Sequence, residues 1–387
     1  MRILLLGSDG YLGWPLALKL SSRYPTASIT LVDNLARRRM VAEVGGNSIT
    51  PIADPHERLR AHTRITGRKN LHFIPLDVCS PDVDRLISEL MPTHVYHMAQ
   101  QASAPYSMRD VEHAVQTLHN NEVGNMRILW AIRQHVPHAH LIKLGSFGEY
   151  AKGGLDIAEG YFTPSYQGKV AQRPLPYPRE SDDIYHISKI NDTNYISMAC
   201  RKWGLRVTDI MQCTIFGVAT EETLAFPELY TRLDYDAVFG TVVNRFIAQV
   251  VSGHPMTIYG TGLQRTGLMG LEDALGSMTE LLEQLPEPGE HRVINHVTER
   301  GFCILELAES LASLAQQRGY HPRLLRDTFD PRIEQVPQKL EYEIEAQRIA
   351  GHVNHTPFHK VLAQTFDIVA RFADRINERV FPPEIVW

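Results

Sequence analysis

The chain has 387 residues, 43% of them hydrophobic, and its 44 acidic against 39 Lys and Arg residues leave a net charge of −5. That is enough apolar material for one large or two moderate packed domains, and the interspersed charge gives no electrostatic case for a nucleic-acid or membrane partner. Four scattered cysteines with no Cys-x-x-Cys pair argue against a disulfide framework, and neither they nor the histidines (135, 138 and 140; 352, 355 and 359) show metal-ligand spacing, so no metal is expected.

In chain order, the apolar run 2–6 reads as a strand, followed by a glycine turn and an amphipathic helix from residue 11 to 22. A strand starting at Arg2 leaves no room for a leader, and no apolar run approaches the roughly 18 residues that span a bilayer, so a cytoplasmic protein is expected. Residues 28–32 form a second β-branched run ending at Asp33. Further strands are predicted at 71–75, 94–97, 140–144 and 206–211, with helices at 81–90, 111–135 and 184–203 between them. Strands and helices alternating at this spacing predict an α/β fold, a doubly wound parallel sheet covered on both faces. The alternation loosens after residue 213. The expected organisation is therefore a dinucleotide-binding domain over 1–213 and a smaller substrate-binding region over 214–387, with some segments returning to the first. Stretches 225–236 and 327–338 read as loops capping a cleft, and 359–379 as a closing helix whose apolar stripe is packing.

Three groups of residues carry chemistry. Gly7-Ser8-Asp9-Gly10-Tyr11-Leu12-Gly13 places three glycines at intervals of three between a strand and a helix, where backbone amides and the helix dipole meet a pyrophosphate. Asp33, twenty residues after Gly13, suits an adenosine ribose and favours NAD over NADP, although the cluster Arg37-Arg38-Arg39 stands close by. Tyr185-His186-Ile187-Ser188-Lys189 puts a phenol and an ammonium one helical turn apart, so the cation stabilises a phenolate able to act as a base. Ser146, just past the strand 140–144, brings a hydroxyl to the sheet edge where ligands of such folds bind. Asp77 would suit the adenine amine, and residues 97–101 would line the cleft.

On the segments Gly10 to Trp14, Asp33 to Arg38, Ser103 to Met108, Lys143 to Tyr150, Tyr185 to Lys189, Arg232 to Thr241 and Asn244 to Phe246, the chain resembles the UDP-sulfoquinovose synthase family of extended short-chain dehydrogenase/reductases. The resemblance implies a bound NAD that is reduced and regenerated in each turnover. Tyr185 would deprotonate a sugar 4-hydroxyl as hydride leaves, the C5 proton and 6-hydroxyl would be lost, sulfite would add, and the ketone would be reduced again. Ser146 stands where the family has threonine. Glu149 falls near the position of an elimination acid or base, and His186 matches a family histidine. The resemblance further implies cofactor contacts from Gly7, Asp9, Tyr11, Leu12, Asn34, Arg37, Val78, Met98, Ala99, Asn121 and Gln212, and substrate contacts from Gln101, Ser103, Arg109, Thr241, Asn244, Arg245, Arg265 and Arg332.

The departures lie at the nucleotide end. The arginine of Gln264-Arg265-Thr266-Gly267 comes one place early, and Leu268-Met269-Gly270 replaces a family segment with a carboxylate. This opens an alternative: a dehydratase of the same scaffold acting on a nucleoside or other sugar without adding sulfite. A non-catalytic NAD-binding regulator is a second alternative, from a different class. The long helices 111–135 and 184–203 resemble those that pair across a two-fold axis in this superfamily, so a homodimer is expected.

Overall fold

In the computed structural model, which describes residues 1–150, 155–327, 330–331, 344–346, 348, 355–383 and 385, the first strand, β1 (Arg2–Leu6), sends alternate side chains to opposite faces. Ile3 and Leu5 pack with Leu16 and Leu20 of α1 (Gly13–Arg23) and with Leu275 and Met278, whereas Leu4 and Leu6 pack with Ile87, Ile128, Ile132 and Ile196. A strand buried on both faces in this way belongs to a parallel sheet with helices on each side.

That sheet has seven strands: β1, β2 (Ser28–Asp33), β3 (Leu71–Pro75), β4 (His94–His97), β5 (His140–Leu144), β6 (Arg206–Gln212) and β7 (His291–His296). They lie side by side in the order β7-β6-β5-β4-β1-β2-β3, every pair parallel. The order reverses between β1 and β4, and crevices for ligands open beyond the strand ends at such a reversal. The seventh strand comes from the second half of the chain and pairs with β6 from Val207↔His291 to Gln212↔His296. A second core gathers Phe246, Ile247, Leu307, Leu311, Leu362 and Phe366 from the helices Val242–Val251, Ile304–Gln317 and Phe358–Arg371.

Two predicted helices differ from expectation. The 111–135 helix is broken into Val111–Leu118 and Gly124–His135 by one π-helical turn, His119–Val123, and the closing helix ends at Arg371 before two single 3-10 turns. Two helices unmarked in the sequence reading, α2 (Ala36–Glu43) and α3 (Pro55–Thr66), follow β2. Most of 327–338 lies outside the described residues. The helix after β5, α4 (Ile184–Trp203), starts where predicted because Asp183 caps its first turn and Gly204, at φ 72°, ends it. Among the described residues no helix is long and apolar enough to cross a membrane.

Candidate active site

The turn after β1 is held shut by its glycines. Gly7 has φ 87°, its N–H donates to the Val32 carbonyl at 2.8 Å, and a Cβ there would meet the Met98 backbone at 2.5 Å. A Cβ on Gly13 would run into the Gly7 carbonyl, so both positions exist to press β1, α1 and β4 together. No side chain caps α1, because Leu12 precedes it and carries no acceptor; Trp14 N–H donates to the Gly10 carbonyl at 3.4 Å and Pro15 has no N–H, which leaves the Gly13 amide at the helix start to face an anion. Beyond the turn lies a cavity of about 270 Å³. It is lined by eleven of the expected cofactor residues, Gly7, Gly10, Tyr11, Leu12, Gly13, Asp33, Asn34, Arg37, Val78, Met98 and Ala99, and by Gln101, Thr241 and Asn244 of the expected substrate set. Asp33 accepts the Asp9 and Leu35 N–H groups at 2.9 and 2.7 Å, and burial raises its carboxyl to about 6. A carboxylate at the end of β2 and a glycine-built cradle fit a dinucleotide, and Arg37 and Arg38 are committed inside the protein, to Asp234 and Asp9.

Those commitments correct several expectations. Asp9 faces away from the cavity: its carboxylate is 4% exposed and takes Arg38 at 2.7 Å twice and Arg58 at 3.1 Å. Arg37 lines the cavity but is latched to Asp234 at 3.0 Å with its guanidinium 4.0 Å over the Phe239 ring. Asp77 stands outside the lining, bonded to Asn34 at 2.8 Å, and Gln212 is tied to His296 at 2.7 Å. Asn121 is one layer behind, joining Gln101 to Ser188. On the substrate side, Ser103 caps a short helix and donates to the Val238 carbonyl at 2.6 Å, and Arg109 pairs with Glu43 at 2.8 Å. Arg245 stacks 4.9 Å over Tyr259 and lines a separate cavity of about 150 Å³ with Gln264 and Ile304. Arg265 sits 3.8 Å from Glu306, Met269 is fully buried in its strand, and Arg332 lies outside the described residues.

The expected catalytic set gathers at the end of β5. Lys189 Nζ donates to the Leu144 carbonyl at 2.7 Å and to Gln100, both of which line the dinucleotide cavity, and stands 5.7 Å from the Tyr185 ring centre. Burial, then repulsion from Lys143, pull its ammonium below the usual lysine range. Burial, then Glu149 and Asp183, push the Tyr185 phenol well above 10, with Arg37 opposing. Ser146 Oγ accepts the Gly148 N–H at 3.1 Å and meets His186 Nε2 at 3.2 Å. Glu149 does not join them. It is wholly buried, accepts the Ser146 N–H at 2.9 Å and the Thr193 hydroxyl at 3.1 Å, and pairs with Arg179 and, at 3.7 Å, with Lys143. Its charge is spent on holding the 146–149 turn, so an elimination role at this position is corrected to a structural one.

Four residues were missed by sequence reasoning. Asn120, swung into the cavity by the π-turn, accepts the Gln101 N–H at 2.7 Å. Asp192, one turn past Lys189 and fully buried, is reached by the same Gln100 side chain that holds Lys189. Asp183 bonds His186 Nδ1 at 2.6 Å, and Asp234 anchors Arg37. Spacing gave a signal only for Asp192 and Asp183, which flank the tyrosine–lysine pair.

A glycine-cradled cavity at the reversal of a parallel sheet, with a serine, tyrosine and lysine behind its wall, is the layout of a nicotinamide-dependent sugar enzyme. The model of the NAD dependent epimerase/dehydratase family matches residues 3–295, and the chain belongs to that family of enzymes, whose cofactor is NAD. Over all of its length it is 34% identical to the chloroplastic UDP-sulfoquinovose synthase of Spinacia oleracea, covering 79% of that protein. With the UDP-sulfoquinovose synthase of Sulfolobus acidocaldarius it shares 37% over 86% of this chain and 84% of the relative. Among solved structures, it is similar to a UDP-glucose 4-epimerase of Thermotoga maritima with a TM-score of 0.68 at 18% identity, over 96% of this chain and 99% of the other. A dTDP-glucose 4,6-dehydratase of Bacillus anthracis gives 0.63 at 15%, over 98% of each. At such identities these structures speak for the fold alone.

Proposed function

We propose that this enzyme transiently oxidises the 4-hydroxyl of a nucleotide-linked hexose, eliminates the C5 proton with the 6-hydroxyl and reduces the ketone again, with UDP-glucose and sulfite as its substrates. The observation that carries this reading is the grouping of Ser146, Tyr185 and Lys189 around the end of β5, behind the Leu144 and Gln100 wall of the dinucleotide cavity, in a chain similar over its whole length to a UDP-sulfoquinovose synthase. NAD, when bound, supplies a hydride acceptor that returns the hydride within the same turnover. Gly10, Gly13 and Asp33 would hold it. Burial, Glu149 and Asp183 would keep Tyr185 a phenol, and it becomes a base only where positive charge offsets them: Arg37 opposes them, and we give the same task to the Lys189 ammonium, 5.7 Å from the ring centre. Gln100 fixes that ammonium before any ligand arrives.

The test is direct. Purified holoenzyme incubated with UDP-glucose and sulfite should yield a sulfonated sugar nucleotide by mass spectrometry, and no change of mass in either the presence or absence of sulfite overturns the assignment. A second reading, dehydration of a nucleoside or other sugar without sulfite, is favoured by one feature of the nucleotide end: Arg265 is turned toward Glu306, and the end of the same strand, Leu268-Met269-Gly270, carries no carboxylate. We also infer a homodimer, supported by Val111, Val115 and Ile187, large apolar side chains left exposed on two neighbouring helices, and a cytoplasmic setting, supported by four unpaired cysteines.

A further inference from the structure

The sequence of oxidation, elimination and reduction handles two protons at once, and Tyr185 can hold one. The first comes from the hydroxyl oxygen, the second from the carbon beside the new ketone; one leaves with the departing hydroxyl, one must return to C5 when sulfite adds, and the alkoxide formed on reduction takes one that bisulfite brings. Glu149 is locked in its buried ion cluster and offers no place for the second.

A place exists on the other side of Ser146. Asp183 Oδ1 caps α4 by accepting the His186 N–H at 2.8 Å, while its Oδ2 lies 2.6 Å from His186 Nδ1. Asp183 is 6% exposed; burial pushes its carboxyl up, but the side-chain and backbone hydrogen bonds and charge of His186, with the Ser181 hydroxyl, together hold it below the usual carboxylate range. An ionised Asp183 only accepts, so a neutral His186 carries its proton on Nδ1 and presents a bare Nε2. That atom is 3.2 Å from Ser146 Oγ, which also accepts the Gly148 N–H at 3.1 Å. The Ser146 hydroxyl proton is thereby directed at His186. Gly148 makes the contact possible, because any Cβ at that position would overlap the imidazole ring.

We propose that Asp183, His186 and Ser146 form a proton relay that serves as the second proton store of this active site, with Asp183 as its positioning residue. The proposal rests on the transient oxidation argued above. After the hydroxyl proton has passed to the Tyr185 phenolate and the hydride to the dinucleotide, the C5–H bond breaks. Its proton goes to Ser146 Oγ as the proton of Ser146 passes to His186 Nε2, giving an imidazolium facing Asp183. The electron pair left on carbon forms the double bond as the neighbouring C–O bond breaks, and the departing oxygen takes the proton of Tyr185 and leaves as water. When bisulfite enters, its proton passes to the Tyr185 phenolate, sulfite adds at C6 and C5 recovers a proton from His186 through Ser146; when the ketone is then reduced, the alkoxide takes the proton of Tyr185. Tyr185 ends as phenolate and His186 as neutral imidazole, their starting states, and the net change is exchange of the 6-hydroxyl for a sulfonate with loss of one water.

The two proton stores predict a dissociation that a merely structural Asp183 would not produce. Asp183→Asn keeps an oxygen to cap α4, but its amide donates to Nδ1 and forces the proton onto Nε2. In 15N-histidine-labelled protein without substrate, long-range 1H–15N correlation should show His186 as the Nδ1–H tautomer in the wild type and the Nε2–H tautomer in the variant. An Nε2–H tautomer in the wild type overturns the relay, whatever the substrate proves to be. With UDP-glucose in D2O, Asp183→Asn and His186→Gln should keep the rapid 340 nm rise of reduced cofactor within about two-fold and leave KM unchanged. Deuterium uptake at C5 and turnover should fall on the order of 10²- to 10⁴-fold, the scale of a misdirected histidine tautomer. Uptake within three-fold of wild type in both variants overturns the relay. Absence of the 340 nm rise in the wild type instead counts against the proposed substrate, and the tautomer result then decides the relay alone.

Discussion

The two ends of the cleft are built from different materials. At the dinucleotide end the fit is made by backbone: Gly7 and Gly13 let three elements touch, no side chain caps α1, and the acidic and basic side chains nearby neutralise one another behind the wall. At the catalytic and substrate end the fit is made by side chains that reach one another across long stretches of sequence, such as Lys189 to Gln100 and Arg109 to Glu43. A backbone-built surface tolerates changes in the charges around it so long as the chain folds, whereas a side-chain-built one loses its chemistry with single atoms.

The strongest way to break that contrast is Tyr185→Phe, which removes one oxygen. Turnover should fall by at least roughly 10³-fold, the scale of losing a positioned acid–base group, while the dinucleotide stays bound as judged by its absorbance after gel filtration. Retained turnover would sink the assigned role. Next in size is Asp9→Asn, a change within the glycine turn that leaves the cavity lining intact. It strands Arg58, 1% exposed, without its carboxylate, and should cost about 3–5 kcal/mol in urea unfolding while saturating NAD restores normal turnover. A loss of NAD affinity with unchanged stability would show that Asp9 touches the cofactor after all. Arg265→Ala should matter least. Its guanidinium is partly exposed and 3.8 Å from its acidic neighbour, so stability should change by less than about 1 kcal/mol. A rise in KM for UDP-glucose beyond ten-fold would instead place it on the diphosphate.

Much of this was legible before any coordinates, and the limits are physical. The strands at 71–75, 94–97 and 140–144 and the helix 184–203 fall where apolar period and capping residues put them, because those signals are local. The π-turn at His119–Val123 left no mark: it shifts one round of backbone hydrogen bonds without needing a proline or glycine, and residues 111–135 read as one helix. Tyr185, Lys189 and Ser146 could be named from spacing and position. Asp9, Glu149 and Arg109 were expected at the site on the family resemblance, and each is instead held by a partner, Arg58, Arg179 and Glu43, that lies between 30 and 66 positions away. Charge type is written in the sequence, but whether that charge is already spent depends on contacts that only the folded chain makes.

The latch of Arg37 on Asp234, stacked over Phe239, lines the dinucleotide cavity and joins α2 to a segment 197 residues further on. Because Asp234 and Phe239 come from the second half of the chain, one wall of that cavity is shared between the two halves, and a change that loosens either half reshapes the same wall.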